Sequence, residues 1–313
     1  MPKTRNPRHG SLAYWPRKRA MKEVPRIRSA RLPKEAKPNA FPGYKAGMAT
    51  VQYIDNSKFS HTRNDLLAKA ATIIECPPVK IFSVRYYKKT PYGLKLATEA
   101  LNPKLDKELA RSVSLSKQKH ALAEKLDDFD LLRLVVYTQP KLTSIGKKKP
   151  ELFELSLGGS KEEQLAFAKD KLGKEINVKD VFAEGQQLDL HAVTKGKGLQ
   201  GPVARYGISL KSHKSEKSRR FAVLAPEGDA KVRYFAHQSG KVGYHLRTEH
   251  NKWLLRIMDD ISSYPHFKHY GNLRNTCLLV KGTIPGPSKR LVVFTEAMRP
   301  SKKIPAQAPE IRK

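Results

Sequence analysis

Three glycines and two lysines within seven residues, Lys195-Gly-Lys-Gly-Leu-Gln-Gly201, are the densest chemistry in this sequence. Gly196, Gly198 and Gly201 leave no Cβ between the backbone and whatever lies against it, and Lys195 and Lys197 flank that bare backbone with charge. The natural visitor to such a loop is a phosphate. The spacing Gly196-x-Gly198-x-x-Gly201 also satisfies the dinucleotide fingerprint, in which a helix opens at the third glycine and holds a pyrophosphate at its N-terminus. Here Pro202, Val203, Tyr206, Gly207 and Ile208 read as a strand, and Arg219, Arg220 and Phe221 stand where an acidic residue would hold a ribose. The pattern points away from a nicotinamide or flavin cofactor and toward a loop that meets a nucleic-acid backbone. A glycine-rich hairpin with solvated lysines is the plainer alternative.

The element that positions this loop is the run Gln187 to Val193, which alternates polar and apolar residues as a half-buried strand does. Around it, 313 residues with 39% hydrophobic content leave room for a real interior. Sixty-one Lys and Arg against 29 Asp and Glu give a net charge of +32, which implies a polyanionic partner. A membrane surface is the competing polyanion, but there is no apolar run near 18 residues and no basic amphipathic helix. Charge without an apolar segment at the N-terminus gives no sign of secretion. Two cysteines, Cys76 and Cys277, are too few for a disulfide scaffold or a Cys-type zinc site and are expected as buried small hydrophobes.

Residues 1–38 hold twelve Lys or Arg against Glu23 and Glu35, with prolines throughout, and form a basic extension with too few aliphatics to fold alone. Within it Arg17, Lys18 and Arg19 read as a localisation signal, a solvated tail or an RNA contact; Tyr14 and Trp15 beside them favour stacking on unpaired bases. Residues 39–98 carry short strands: Met48 to Ile54, Ala71 to Glu75 and Val79 to Tyr87, with a short helix near Asn64 to Lys69 and a turn at Thr90-Pro-Tyr-Gly93. They are expected as the first part of a closed antiparallel β-barrel.

Residues 99–182 alternate helical runs (Lys104 to Arg111, Lys117 to Leu126, Glu162 to Leu172) with strands Leu131 to Tyr137 and Leu152 to Leu157, an α/β insertion. Ser160-Lys-Glu-Glu163 is a capping box that starts the last helix. From 99 to 190 sixteen basic and sixteen acidic residues cancel, so the excess charge lies elsewhere. Asp127, Asp128 and Asp130 read as a solvated helix end, and Asp259 with Asp260 likewise. Residues 183–210 supply a barrel strand and the glycine-lysine loop.

From Lys195 to Arg256 the charge returns, fourteen Lys or Arg against four acids. The span 211–270 is expected as a basic arm that takes its shape against RNA, with a helix near Thr248 to Asp259. His213, His237, His245 and His250 lack metal-ligand spacing and suit hydrogen bonds to phosphate or sugar, or plain surface positions. Residues 271–300, with Thr276 to Ile284 and Arg290 to Thr295, return to strand texture and would close the barrel; 301–313 form a C-terminal tail. The fold class expected is mostly β with an α/β insertion.

Six ordered stretches carry a family resemblance. They are Gly10-Ser-Leu12 with Pro16-Arg-Lys-Arg19, Gly43-Tyr-Lys-Ala-Gly-Met48, Thr90-Pro-Tyr-Gly93, Ala192 to Gly207, Gly243 to Glu249 with Asn251-Lys252, and Val280-Lys-Gly-x-x-Pro-Gly-Pro287. Together they resemble the universal large-subunit ribosomal protein L three family, in its archaeal and eukaryotic branch. The resemblance implies a β-barrel on the outer face of the large subunit, with a tail and an arm threading rRNA toward the peptidyl transferase centre. It also implies a role in early assembly, contact with ribosomal protein L fourteen, and a cytoplasmic place in the ribosome. One departure stands out: the family's Leu-Gly-Pro-Trp run near the arm's tip is replaced by Arg219 to Pro226 followed by Glu227, Gly228 and Asp229, so no tip-stacking role carries over.

The expected site is accordingly an RNA interface. Arg17, Lys18, Arg19, Lys195, Lys197, Arg205, Lys211, Lys214, Arg219, Arg220, Arg233, Arg247 and Lys252 would neutralise phosphates, while Gln200, His213, Gln238, His245 and Asn251 would hydrogen-bond sugars and base edges. No cofactor or metal is expected. An enzyme would need an acid, base and nucleophile converging near the glycine loop, and the sequence offers no such set. A DNA-compacting architectural protein would share the charge but not the ordered motifs.

Overall fold

A computed structural model describes residues 10–27, 30–114, 129–214, 234–259, 264 and 266–312. The chain is mostly β, with two short α-helices and a few 3-10 turns among the described residues. In chain order the strands are β1 (Ala40–Ile54), β2 (Leu66–Glu75), β3 (Val79–Thr90), β4 (Gly93–Leu101), β5 (Leu131–Tyr137), β6 (Leu152–Ser156), β7 (Glu175–Ile176) and β8 (Gln187–Val193). They continue with β9 (Leu199–Gln200), β10 (Gly240–Lys241), β11 (Leu246–Met258), β12 (His266–Phe267), β13 (Gly271–Asn272), β14 (Cys277–Lys281), β15 (Leu291–Glu296) and β16 (Ile311–Arg312). The helices are α1 (Lys161–Lys171) and α2 (Pro202–Tyr206). None of the described helices is long and apolar enough to cross a membrane.

Two compact units emerge: a sheet unit, Glu23–Ala192 with Arg247–Lys313, and a cationic unit, Met1–Lys22 with Val193–Leu246. In the sheet unit the pairings run β15-β8-β11-β14-β2-β1 and return, because β1 pairs with β15 as well as β2. β1 reaches both neighbours through its length: Ala40 to Tyr44 face β15, and the stretch beyond pairs with β16 at Gln52 and Tyr53, while β2 follows the other side from Tyr44 to Ile54. A ring of this kind leaves few open backbone edges. Both faces of its strands are covered: Phe41, Ile73, Ile74, Leu190, Leu278, Val292 and Phe294 are all fully buried, and the consecutive Ile73 and Ile74 point to opposite sides of β2.

The second sheet, β4-β3-β5-β6 with β7 on β3, takes β3 and β4 away from the ring strands with which the sequence groups them. Cys76-Pro77-Pro78 ends β2, since proline lacks the N–H a ladder needs, and the chain leaves the ring there. Strand β5 and helix α1 match expectation, and the Ser160–Glu163 capping box is present in both directions. Three local expectations fail in the sheet unit. Asn64 to Lys69 is not helical: β2 begins at Leu66 and pairs with β1 from its first residue. Thr248 to Asp259 is not helical either: residues up to Met258 belong to β11, whose consecutive buried Trp253, Leu254 and Leu255 lie between β8 and β14. In both cases cross-strand pairing overrides local preference. Lys104 to Arg111 shortens to a 3-10 turn at Lys107–Arg111. The helix expected at Lys117 to Leu126 and the pair Asp127 and Asp128 lie outside the described residues.

Two buried carboxylates cross-link segments of the sheet unit. Glu75 accepts from the Tyr270 hydroxyl (2.6 Å), Arg274 N (2.9 Å), Asn275 N (3.0 Å) and Asn275 Nδ2 (2.8 Å). Asp189 on β8 accepts from His250 Nδ1 (2.8 Å), Asn251 N (2.9 Å) and Met298 N (3.1 Å). Cys76 and Cys277 flank the first hub as free, buried thiols, and burial pushes both well above the ordinary thiol range. Replacing Glu75 by Ala strands its donors in the interior and should cost about 3 to 5 kcal/mol in urea unfolding.

Asp55, in the loop between β1 and β2, is held from both sides by Ser57 N (3.0 Å) and Thr62 Oγ1 (2.7 Å). Burial raises its carboxyl, but the hydrogen bonds from Ser57 and Thr62 outweigh that and bring it down to about 2. Its folded value lies below its unfolded one, so its stabilisation is complete above an ordinary carboxylate pKa and is lost as pH falls toward about 2. Asp55→Asn should therefore flatten the acid side of a stability-against-pH curve between about pH 4 and 2.

Candidate nucleic-acid interface

The cationic unit starts from the loop that leaves β8. Thr194 N donates to His245 O (3.0 Å), Lys197 N to Val242 O (2.8 Å) and Val242 N to Gly198 O (2.9 Å), and β9 pairs with β10. The loop is thus a hairpin stem with its lysines outward: Lys195 and Lys197 are exposed. Gly243 carries φ +74°, and a Cβ there would stand 2.0 Å from the Lys195 carbonyl, so the close approach requires glycine. Gln200 turns inward and donates to Lys197 O at 2.9 Å.

After Gly201 the chain forms helix α2, contrary to the strand expected there. Pro202 sits at its first turn, where a missing N–H is harmless, and Gly207 ends it with φ +69°. At five residues it is little more than one turn, and no Asp or Glu occurs among the described residues of this unit to hold a ribose. The dinucleotide reading therefore gains nothing from the helix.

The function of α2 is to place Tyr206. Its ring stacks on Trp15 with centroids 5.7 Å apart and planes 11° from parallel, and meets His237 at 4.7 Å. Arg17 lies over it at 4.5 Å and Arg205 at 5.2 Å. Tyr234 meets Trp15 edge-on at 6.4 Å. Backbone carbonyls complete the arrangement: Arg17 Nη1 donates to Arg205 O (3.1 Å) and Arg205 Nη1 to Gln238 O (3.0 Å). His245, buried, meets Lys18 O through Nδ1 at 2.7 Å, and Ala20 N donates to Tyr244 O at 2.8 Å. Arg19 lies over the Tyr244 ring at 5.0 Å. Residues near the N-terminus and residues some two hundred positions later are one packed object.

The expected site residues fall into three groups. Arg17, Arg205, Gln238 and His245 take part in internal packing, while Lys18, Arg19, Lys195, Lys197, His213 and Lys214 are exposed and Gln200 and Lys211 are half-buried. Arg219, Arg220 and Arg233 lie outside the described residues, as does the stretch carrying Glu227. Arg247, Asn251 and Lys252 belong to the sheet unit, where Lys252 Nζ meets Thr283 O (2.8 Å) and Glu249 (2.6 Å). Trp15 turns one face to Tyr206, and Tyr14 and Tyr234 are the more exposed rings, at 51% and 75%. Sequence reading missed the role of Tyr206, and it read His237 as a phosphate or sugar donor or a surface residue, where the structure packs its ring against Tyr206. The signal for Tyr206 was present in Gly201-Pro202 and Gly207, a helix start and stop five residues apart.

Charge is the distinguishing property of this unit. Its described residues hold ten Lys or Arg (Arg17, Lys18, Arg19, Lys22, Lys195, Lys197, Arg205, Lys211, Lys214 and Lys241) and no Asp or Glu. The sheet unit, by contrast, pairs its charges, as where Glu154 binds Arg85 and Arg133. Among the described residues no three His, Cys, Asp or Glu side chains gather as a metal ion requires. An acid-free concentration of cations beside exposed aromatic rings is what binding to a single-stranded or folded nucleic acid requires.

A sequence model of the family described as Ribosomal protein L3 matches residues 1–313. The large ribosomal subunit protein uL3 of Methanosphaera stadtmanae is 43% identical, over 99% of this chain and 97% of its own length. The protein of the same name from Archaeoglobus fulgidus is 44% identical, over 96% and 94%. That from Methanocaldococcus jannaschii is 39% identical, over 97% and 95%. With the whole chain matched and relatives at this identity covered almost end to end, the chain belongs to the ribosomal protein L3 family.

Proposed function

We propose that the chain is a structural constituent of the large ribosomal subunit and that its cationic unit binds large-subunit rRNA. The observation that carries this is the ten cations without a carboxylate among that unit's described residues, in a chain whose relatives are named as large-subunit proteins. The exposed Lys18, Arg19, Lys195, Lys197, His213 and Lys214 meet phosphates and sugars; Arg17, Arg205, Gln238 and His245 hold the shape that presents them. Arg219, Arg220 and Arg233 extend the same contact.

The strand ring is the family's barrel, seated on the outer face of the subunit, and the cationic unit points along rRNA toward the peptidyl transferase centre. The chain acts early in subunit assembly, beside ribosomal protein L fourteen, in the cytoplasm. Its task is to fold and hold RNA, with no reaction of its own. Specificity arises from RNA shape and from the fixed path of the loop.

Binding of the purified chain to large-subunit rRNA fragments, in competition with duplex DNA of equal phosphate number across a salt series, tests this. A preference for one folded rRNA region that persists at physiological salt supports the proposal; equal, steeply salt-dependent binding to both would replace it with a generic architectural role. Lys195→Ala with Lys197→Ala should weaken binding and lower the slope of log K against log salt by about 1.4 to 1.8. Tyr206→Ala removes the ring on which Trp15, Arg17 and Arg205 converge, a local loss of about 3 to 5 kcal/mol. It should raise hydrogen exchange at residues 10–22 and 234–246 and leave that of β1 and β15 unchanged.

A further inference from the structure

The sheet unit has a cavity of about 190 Å³ beside the middle of β11, whose lining includes Ser57, Asn251, Lys252, Trp253, Lys281 and Lys303. Two other cavities of this unit contain carboxylates, Glu184 and Glu296 in one and Asp106 and Glu108 in the other. This one has three lysines in its wall and no acid. The lysines are not equivalent. Lys252 is already neutralised by Glu249 at 2.6 Å. Lys281 Nζ sits 5.2 Å from the centres of both the Tyr53 and the Trp253 rings, which themselves meet edge to face. Those rings hold the ammonium in place without cancelling its charge, and neither Lys281 nor Lys303 has a carboxylate partner among the described residues.

A second feature marks the same wall. Asn251 has φ +56°, imposed where its N–H and the neighbouring His250 ring both bind buried Asp189, and its Oδ1 is buried without a donor among the described residues. A phosphodiester in the cavity satisfies the two uncancelled ammonium groups.

We propose that this cavity is a second RNA contact, on the sheet unit, that takes one backbone phosphate of a ribonucleotide between Lys281 and Lys303. The proposal rests on the rRNA-binding reading above and deepens it by adding a contact that the glycine-lysine loop does not make.

The test uses the full chain with a large-subunit rRNA fragment. Amine acetylation read by mass spectrometry should show Lys303 protected several-fold on RNA binding, while exposed Lys169 of α1 labels equally with and without RNA. Lys303→Gln should lower the salt slope by about 0.7 to 0.9, and Lys281→Met with Lys303→Gln by about 1.4 to 1.8. Lys303 is exposed, so its single variant stays readable even if the double variant unfolds. Wild-type binding with unchanged slope and unchanged labelling at Lys303 would overturn the cavity and leave the glycine-lysine loop standing. Protection by inorganic phosphate with none from RNA would assign the cavity to a free anion and overturn it too. No RNA binding by the wild type would remove both readings at once.

Discussion

The strand ring of the sheet unit depends on β1 being long enough to pair on both sides. Its first five residues close the ring onto β15, its later ones receive β16, and β2 runs along its other edge. Gly43 sits where these pairings crowd together: a Cβ there would stand 2.7 Å from Cys76 Sγ and 2.8 Å from Ile74 Cγ2. Closure also brings β8, paired to β15, into the ring beside β11.

The two units manage charge by opposite means. In the sheet unit carboxylates answer cations or collect backbone donors, as Glu75, Asp189 and Glu154 do. In the cationic unit the arginines that hold the packing are answered by carbonyl oxygens and aromatic faces. A salt bridge fixes a guanidinium and cancels its field together; a carbonyl or a ring fixes it and leaves the field intact. The unit is thereby ordered without losing the potential that attracts phosphate.

Much of this is legible in the sequence alone. The alternation from Gln187 to Val193 marked β8, Ser160-x-x-Glu163 marked α1, and Thr90-Pro-Tyr-Gly93 marked the β3–β4 turn, because each is decided by neighbours in sequence. The segregation of charge was legible from counting alone. What failed was decided at a distance. Residues 248–258 are a strand because β8 and β14 flank them, and β3 joins β5 across an intervening stretch that no local pattern reports. At the interface, residue type identified cations correctly but not their partners: nothing beside Arg17 in the sequence announces that it will lie against Tyr206 and the Arg205 carbonyl.

The pairing of Lys18 with His245 spans 227 residues of chain. Synthesis at about 5 to 20 residues per second separates the emergence of those two partners by roughly 10 to 45 s. For that interval the first cations made are extended, unpacked and in the company of every polyanion near the exit of the translating machine, the RNA of that machine included. Whatever escorts the nascent chain through this delay has to shield charge rather than hide apolar surface, since the early segment has little of the latter to expose.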